Sequence, residues 1–350
     1  MALGSELLSG LNDQADHVQK NGAPGTASIC RALAEVARGN TKCGNRIAAW
    51  PPDKILSDAM PLRIAGGLHA LFRRGLEPRL GDIYSGKLAD QPSVGALICE
   101  IVERHDTALL SWFDSPPQTN EAGRSASLVA ALHWLAVRLP PCFELNEIGS
   151  SAGLNLLIDR YRFDLGGVIS GPTRTPVTIT PTWIGPRPPA SAFTIASVQG
   201  CDTRPIDVND TAAASRLMAY IWPEAPERFR RLEAGIRMIQ DEPVKLVELD
   251  ASDFVASRLA AAQEPGTTRV LMHSIVWQYL PVDAQRRIEH QMENAGCGAT
   301  RETALAWISL ETNRLTFNHE LIARFWPGSG TPIKLGEAHA HGKWVKWFGA

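Results

Sequence analysis

The sequence predicts an α/β protein: a doubly wound, largely parallel sheet preceded by a helical N-terminal region and interrupted by a small β-hairpin insertion. Three observations lead there. Through residue 140, apolar residues recur at helical spacing with no strand-like alternation of useful length. From Phe143 onward, short apolar runs alternate with helical segments, the pattern of parallel strands joined by helical crossovers. Between them, residues 165–192 are dense in glycine and proline, which suits an inserted hairpin better than core sheet, because proline cannot donate to a central ladder. The expected division is a helical region over 1–140 and an α/β domain over 141–350.

The elements follow in order. Ile29, Leu33, Val36 and Ala37 form a helical stripe, with Gly39 where a C-cap glycine belongs. The run "MPLRIAGGLHALFRRGLEP" is a second helix candidate, weakened by Gly66 and Gly67. Val94, Ile98, Ile101 and Val102 continue to Leu109 as a third stripe, and "QTNEAGRSASLVAALHWLAVRLPP" gives a helix stopped by Pro140 and Pro141. "FELNEIG" is the first strand, with a helix expected directly behind it through Asn155–Ile158. Strands recur at 193–202, 244–250, 268–276 and 303–311, separated by helical segments at 211–240, 252–263 and 282–294. In the tail, "HELIARFWPG" and "GKWVKWFG" are expected to close the sheet as an antiparallel pair.

The bulk properties bound the function. The 350 residues are 44% hydrophobic and 21% charged, with a formal net charge of −2. This is the balance of a soluble globular protein and lacks the basic excess of a dedicated nucleic-acid binder. The six cysteines are scattered without a C-x-x-C pair, as expected of free thiols in a reducing, cytoplasmic setting. No signal peptide or 18-residue apolar run is evident, so no membrane association is expected.

The segment "CFELNEIGSSAGLNLLIDRY" carries the functional question, because it parses in two ways. As G-x-S-x-G it is a nucleophile elbow presenting Ser151, with Asp250 and then His339 or His341 downstream in the order a hydrolase requires. As E-x-G-x-S-x-G it is a glycine-rich strand-to-helix turn holding a nucleoside-containing cofactor. The helical character of the preceding 140 residues disfavours the elbow, which follows several strands in its own fold. The cofactor parse explains more of the chain. Four successive strand ends carry Glu147, Asp202, Asp250 and His273, in the region where an open α/β sheet binds its ligands. Each polar strand end has an ordinary structural explanation by itself; the ordered set, with glycines on the first, favours a site.

These motifs resemble class I S-adenosylmethionine-dependent methyltransferases, Rossmann-like in fold, over roughly residues 141–350. "NEIGSSAGLN", "GCDTRP", "LDASDF" and "LMHSIVWQYLP" stand in the order of that family's motifs. The whole chain also resembles an uncharacterised bacterial family of unknown function, through "QTNEAGR", "GSSAGLNLLIDRY" and "HSIVWQYLP". The methyltransferase resemblance implies S-adenosylmethionine as cofactor, with Glu147 supporting its methionine end. It gives Gly149 and Gly153 the close backbone approach, Asp202 the ribose, and Asp250 with neighbouring Ala251 the adenine. Ser151 stands where such enzymes usually carry glycine, so that its Cβ and hydroxyl either contact the cofactor carboxylate or obstruct it.

The expected substrate is a small molecule. Methyl transfer asks mainly for alignment, exclusion of water and removal of one proton. His273 is the candidate base and Tyr279 a second catalytic candidate, with Trp277, Gln278 and Tyr279 in the fourth-strand loop as a substrate wall. Asn120, Glu121 and Arg124 are expected at one helix start as a polar lid, Asn120 and Arg124 forming an i, i+4 pair. Their bland alternative is a helix cap with a surface ion pair. A non-catalytic nucleoside- or partner-binding module is the alternative function. His339 and His341 lack a third ligand for a metal, and "RFRRLEAGIR" is expected to be a solvated basic face.

Overall fold

The computed structural model describes residues 3–349. The chain divides into two compact units: residues 1–119 with 210–230, and residues 120–209 with 231–350.

The first unit is helical. It contains α1 (Ser5–Lys20), α2 (Pro24–Arg38), α3 (Lys42–Ala48), α4 (Met60–Arg73), α5 (Leu80–Tyr84) and α6 (Gln91–Leu110). The stripes expected from the sequence make its core: Leu11, Ile29, Leu33, Ile64, Leu68, Ile98 and Ile101 are all buried together. Gly66 and Gly67 stay within α4 because their bare backbone accepts the rings of Tyr220 and Trp112, which a Cβ would strike. Segment 210–230 adds α8 (Thr211–Ala219), and Glu224 caps α2 by accepting from Thr26 N and Oγ1 at 2.7 and 2.8 Å.

The second unit is built on a sheet. After α7 (Ser125–Ala136) come β1 (Cys142–Ile148), β2 (Arg162–Leu165), β3 (Val168–Ser170), β4 (Thr178–Ile179), β5 (Thr182–Ile184) and β6 (Thr194–Asp202). Then follow α9 (Pro226–Asp241), β7 (Lys245–Glu248), α10 (Ala251–Ala260), β8 (Thr267–Ser274), α11 (Val282–Cys297) and β9 (Thr303–Thr312). Last are β10 (His319–Trp326), β11 (Ile333–Ala338) and β12 (Trp344–Trp347). The large sheet runs β5-β12-β11-β10-β9-β8-β1-β6-β7. The five strands β7, β6, β1, β8 and β9 are mutually parallel, and β10, β11 and β12 continue antiparallel. The chain is thus α/β with a mostly parallel sheet.

Three expectations change. The segment behind β1 is not an α-helix but a 3-10 turn over Leu154–Leu157. Leu154, Leu156, Leu157 and Ile158 are all buried, so the segment has no polar face along which an amphipathic helix would lie. The insertion is only partly a separate hairpin. β2 and β3 pair around Gly166–Gly167 with β4 alongside, whereas β5 joins the edge of the large sheet parallel to β12. An edge is where its flanking Pro181 and Pro186 are tolerated. In the tail, β11 lies between β10 and β12, so those two strands do not pair with each other.

Side-chain alternation gives the sheet two faces. Ile148, Cys201, Leu271, Leu305 and Trp307 pack with Phe254, Val255, Ile288 and Met292 of α10 and α11 on one face. Phe143, Leu145 and Glu147 point to the other. β1 is central and buried nearly throughout, so its polar residues need partners: Glu144 accepts from Arg269 at 2.9 Å and Asn146 from Arg258 at 2.8 Å.

Candidate site at the carboxyl ends of the parallel strands

From β1 the chain goes first to β6 and β7 on one side, then returns to β8 on the other. The carboxyl ends of β1 and β8 therefore bound the place where the winding reverses, and a doubly wound sheet leaves a crevice there.

The β1 loop is left-handed at three points, with φ of 69° at Gly149, 54° at Ser151 and 85° at Gly153. Gly149 and Gly153 are needed for this, and also because protein side chains fill the space of their missing Cβ atoms. A Cβ would stand 2.3 Å from Val276 Cγ2 at the first and 2.7 Å from Val244 Cγ2 at the second. The β8 end carries its own unusual backbone: β-branched Ile275 has φ 53°. Left-handed non-glycine residues on two adjacent strand ends are the kind of strain that gathers at functional sites.

Glu147 lies at the centre and is 1% exposed. Its Oε1 accepts from Asn155 Nδ2 at 2.9 Å, and Asn155 Oδ1 in turn accepts from Ser125 Oγ at 2.9 Å. Its Oε2 is buried with no hydrogen-bond partner. Burial pushes the carboxyl up to about 7, and the amide of Asn155, the hydroxyl of Ser150 and the charge of Arg124 only partly oppose it. Ser151 Oγ is also buried and unpartnered.

The string Gln118–Arg124 does not begin an α-helix. Glu121 is extended, Ala122–Arg124 form a 3-10 turn and α7 starts at Ser125, so the expected i, i+4 pair does not exist. Nor is it a surface cap, because Asn120, Glu121 and Arg124 are each less than a tenth exposed. They hold other segments. Asn120 Oδ1 accepts from Leu154 N at 2.7 Å, and Glu121 pairs with Arg231 at 3.3 Å. Arg124 donates to Ala340 O at 2.8 Å and Ser274 O at 3.2 Å, joining the β8 end to the β11–β12 turn. Arg231 is consequently not part of a solvated basic face.

Asp202 ends β6 as expected, and its two oxygens accept from Ser151 N and Arg204 N, each at 2.9 Å. It thereby fixes the β1 loop. Asp250 caps α10, accepting from Ser252 N at 2.8 Å and Ser252 Oγ at 2.5 Å. The Ser252 hydroxyl holds this carboxyl below the usual carboxylate range. Ala251 is the buried first residue of that helix.

His273 lies on the other face. Met272 is the register partner of Glu147, so His273 points to the α10–α11 side. Its Nδ1 meets Glu311 Oε1 at 2.6 Å, and its Nε2 meets the Trp307 indole nitrogen at 2.9 Å. Indole nitrogen only donates, so Nε2 accepts and Nδ1 carries the proton that Glu311 receives. Trp277 stacks on the imidazole at 5.1 Å, while Gln278 and Tyr279 are exposed, Tyr279 to 68%. The structure therefore does not bring His273 together with Glu147, and it commits both nitrogens of the expected base. His339 Nδ1 accepts from His341 N at 3.1 Å, and the described residues contain no group of three metal-ligating side chains.

Ser125, Asn155, Arg231 and Ser274 hold the site as well, and most of them carry no sequence motif. Asn155 had a local signal, a lone amide inside the apolar run "GLNLLI". The others look ordinary until the sheet assembles them.

The family described as "Uncharacterized protein conserved in bacteria (DUF2332)" matches residues 9–347. The chain belongs to this family. No curated protein and no solved structure matches it. Membership thus spans both units of this DUF2332 chain, and the family's description names no reaction. Among the described residues, no helix is long and apolar enough to cross a membrane.

Proposed function

We propose that this protein binds S-adenosylmethionine on a Rossmann-like sheet and transfers its methyl group to a small molecule. The observation that carries the reading is the reversal of winding at β1. The five parallel strands stand in chain order third, second, first, fourth, fifth, the order with which dinucleotide-binding sheets begin. At that reversal lie the left-handed loop of β1 and a buried carboxylate with one unused oxygen. The residues suit such a group: Glu147 Oε2 and Ser151 Oγ are buried polar atoms awaiting a partner, which native structures rarely leave unpaired. When bound, the cofactor supplies an electrophilic methyl group on sulfur.

The chain's own residues divide the remaining tasks. Asn155, braced by Ser125, orients Glu147, and Asp202 holds the loop at Ser151. Asn120 and Arg124 fix the neighbouring backbone. His273 is a fixture of the opposite face, so the reading needs an acceptor that reacts without a histidine base. The same fact favours a second reading, a nucleoside-binding module without turnover. The elbow reading finds no support, because Ser151 Oγ touches no base.

Calorimetric titration with S-adenosylmethionine and S-adenosylhomocysteine tests the proposal. Micromolar binding is expected to wild type, weakened at least tenfold in Glu147→Gln and in Asp202→Asn. A folded wild-type protein that binds neither compound ends the reading. Binding with no turnover across an acceptor screen moves the protein to the second one.

A further inference from the structure

Besides Glu147 Oε2 and Ser151 Oγ, Tyr161 Oη and Arg231 Nε are buried without a partner. Tyr161 is fully buried between the 3-10 turn and β2. Arg231, on α9, uses a terminal nitrogen on Glu121 at 3.3 Å and leaves Nε unused. A short chain of contacts leads from Arg231 toward Glu147. Glu121 adjoins Asn120, which holds Leu154 N, and Asn155 beside it holds Glu147. The charges of Arg231, Glu121 and Glu147 all act on the Tyr161 phenol. Two glycines make room: a Cβ at Gly235 would stand 3.0 Å from Tyr161 Oη, and one at Gly123 3.2 Å from an Arg231 terminal nitrogen.

The unused atoms are complementary in kind. Arg231 Nε only donates and Tyr161 Oη donates readily, whereas Glu147 Oε2 accepts when ionised. We infer that Tyr161 and Arg231 form a buried carboxylate-binding subsite whose counterpart is Glu147, so that the site takes an amino-acid-like zwitterion. The carboxylate lies on Arg231 Nε and Tyr161 Oη, and the ammonium lies on Glu147 Oε2. Arg231, whose side chain is 18% exposed, is the member of this set that reaches solvent. The inference names the ligand group taken by the site proposed above. It rests on that reading for location but not for the identity of the cofactor.

Two measurements test it together. The first needs no ligand. A hydroxyl kept for a ligand contributes nothing to the empty protein, so Tyr161→Phe is expected to keep or raise the Tm, by up to about 4 °C. A Tm lowered by several degrees means that the hydroxyl serves the fold, and overturns the inference. The second is titration of wild type, Tyr161→Phe and Arg231→Lys with L-methionine, its carboxylate-free analogue methioninol, and S-adenosylhomocysteine. Arg231→Lys keeps the charge facing Glu121 and removes the Nε donor. L-Methionine is expected to bind wild type and to weaken at least tenfold in either variant, with methioninol weak throughout. Equal binding of methionine and methioninol, unchanged affinity in both variants, or no methionine binding at 10 mM probe each overturns it. Methionine binding that depends on Arg231, without any S-adenosylhomocysteine binding, keeps the subsite and removes the methyltransferase reading.

Discussion

Glu147 and His273 close neighbouring parallel strands, and each is 1% exposed, yet their surroundings differ in kind. His273 is complete: one nitrogen donates its N–H to Glu311, the other accepts from Trp307, and Trp277 covers the ring. Glu147 is half complete, with one oxygen held by Asn155 and the other orphaned. A buried polar group with every valence used contributes to stability; one left open costs stability and persists where something else uses it. The contrast marks His273 as a fixture of the α10–α11 face and leaves Glu147, on the opposite face, as the residue with an unused oxygen, although the sequence suggests one cleft for both.

The sharpest way to break the comparison is to delete the complete member. His273→Ala leaves the Trp307 N–H and the Glu311 carboxylate without their shared partner, and a cost of about 3–5 kcal/mol is expected. Urea unfolding measures it; a loss under about 1 kcal/mol would show that the three side chains are not a structural unit.

The open member is expected to respond in the opposite sense. With its folded value raised from 4.5 to about 7, Glu147 keeps its proton in the native state after the unfolded chain has released it. Its contribution therefore lowers stability progressively as pH rises from about 4.5 to 7, and the cost stays constant above that, at roughly 3 kcal/mol. Glu147→Gln keeps an oxygen for Asn155 and removes the titration. Above pH 7 the variant is expected to be the more stable protein, and near pH 4 the two should converge. Parallel stability–pH curves for the two proteins would refute the assignment.

Asp250 gives the smallest effect and a control. It was expected beside adenine, yet its carboxylate caps α10. Asp250→Ala is expected to cost about 1 kcal/mol, the usual loss of an N-cap, at any pH above the carboxylate range. Ligand affinity should be unchanged; a tenfold loss would return Asp250 to the binding surface.

Much of the fold was legible because its signals are local. The stripe from Val94 to Leu109 predicts α6, and the runs at 193–202, 244–250, 268–276 and 303–311 lie on β6, β7, β8 and β9. The failures have local explanations as well. Leu154–Ile158 carries apolar residues without a polar face, so periodicity had nothing to read, and the 3-10 turn is set by Gly153 and by Asn120 from outside the segment. β5 was placed with the insertion because its prolines speak against a central strand. They do not speak against the edge it occupies.

The sequence by itself determined the helical first half, the alternating second half, and the glycine turn with acids at successive strand ends, because periodicity and turn chemistry act within a few residues. Only the tertiary structure decided which of those residues stand together. Strand order and register put Glu147 and His273 on opposite faces, and packing between distant segments brings Ser125, through Asn155, to the Glu147 carboxylate. Those partners are related by the pleat and by long crossovers. No local pattern records which face a strand-end side chain will share, or with whom.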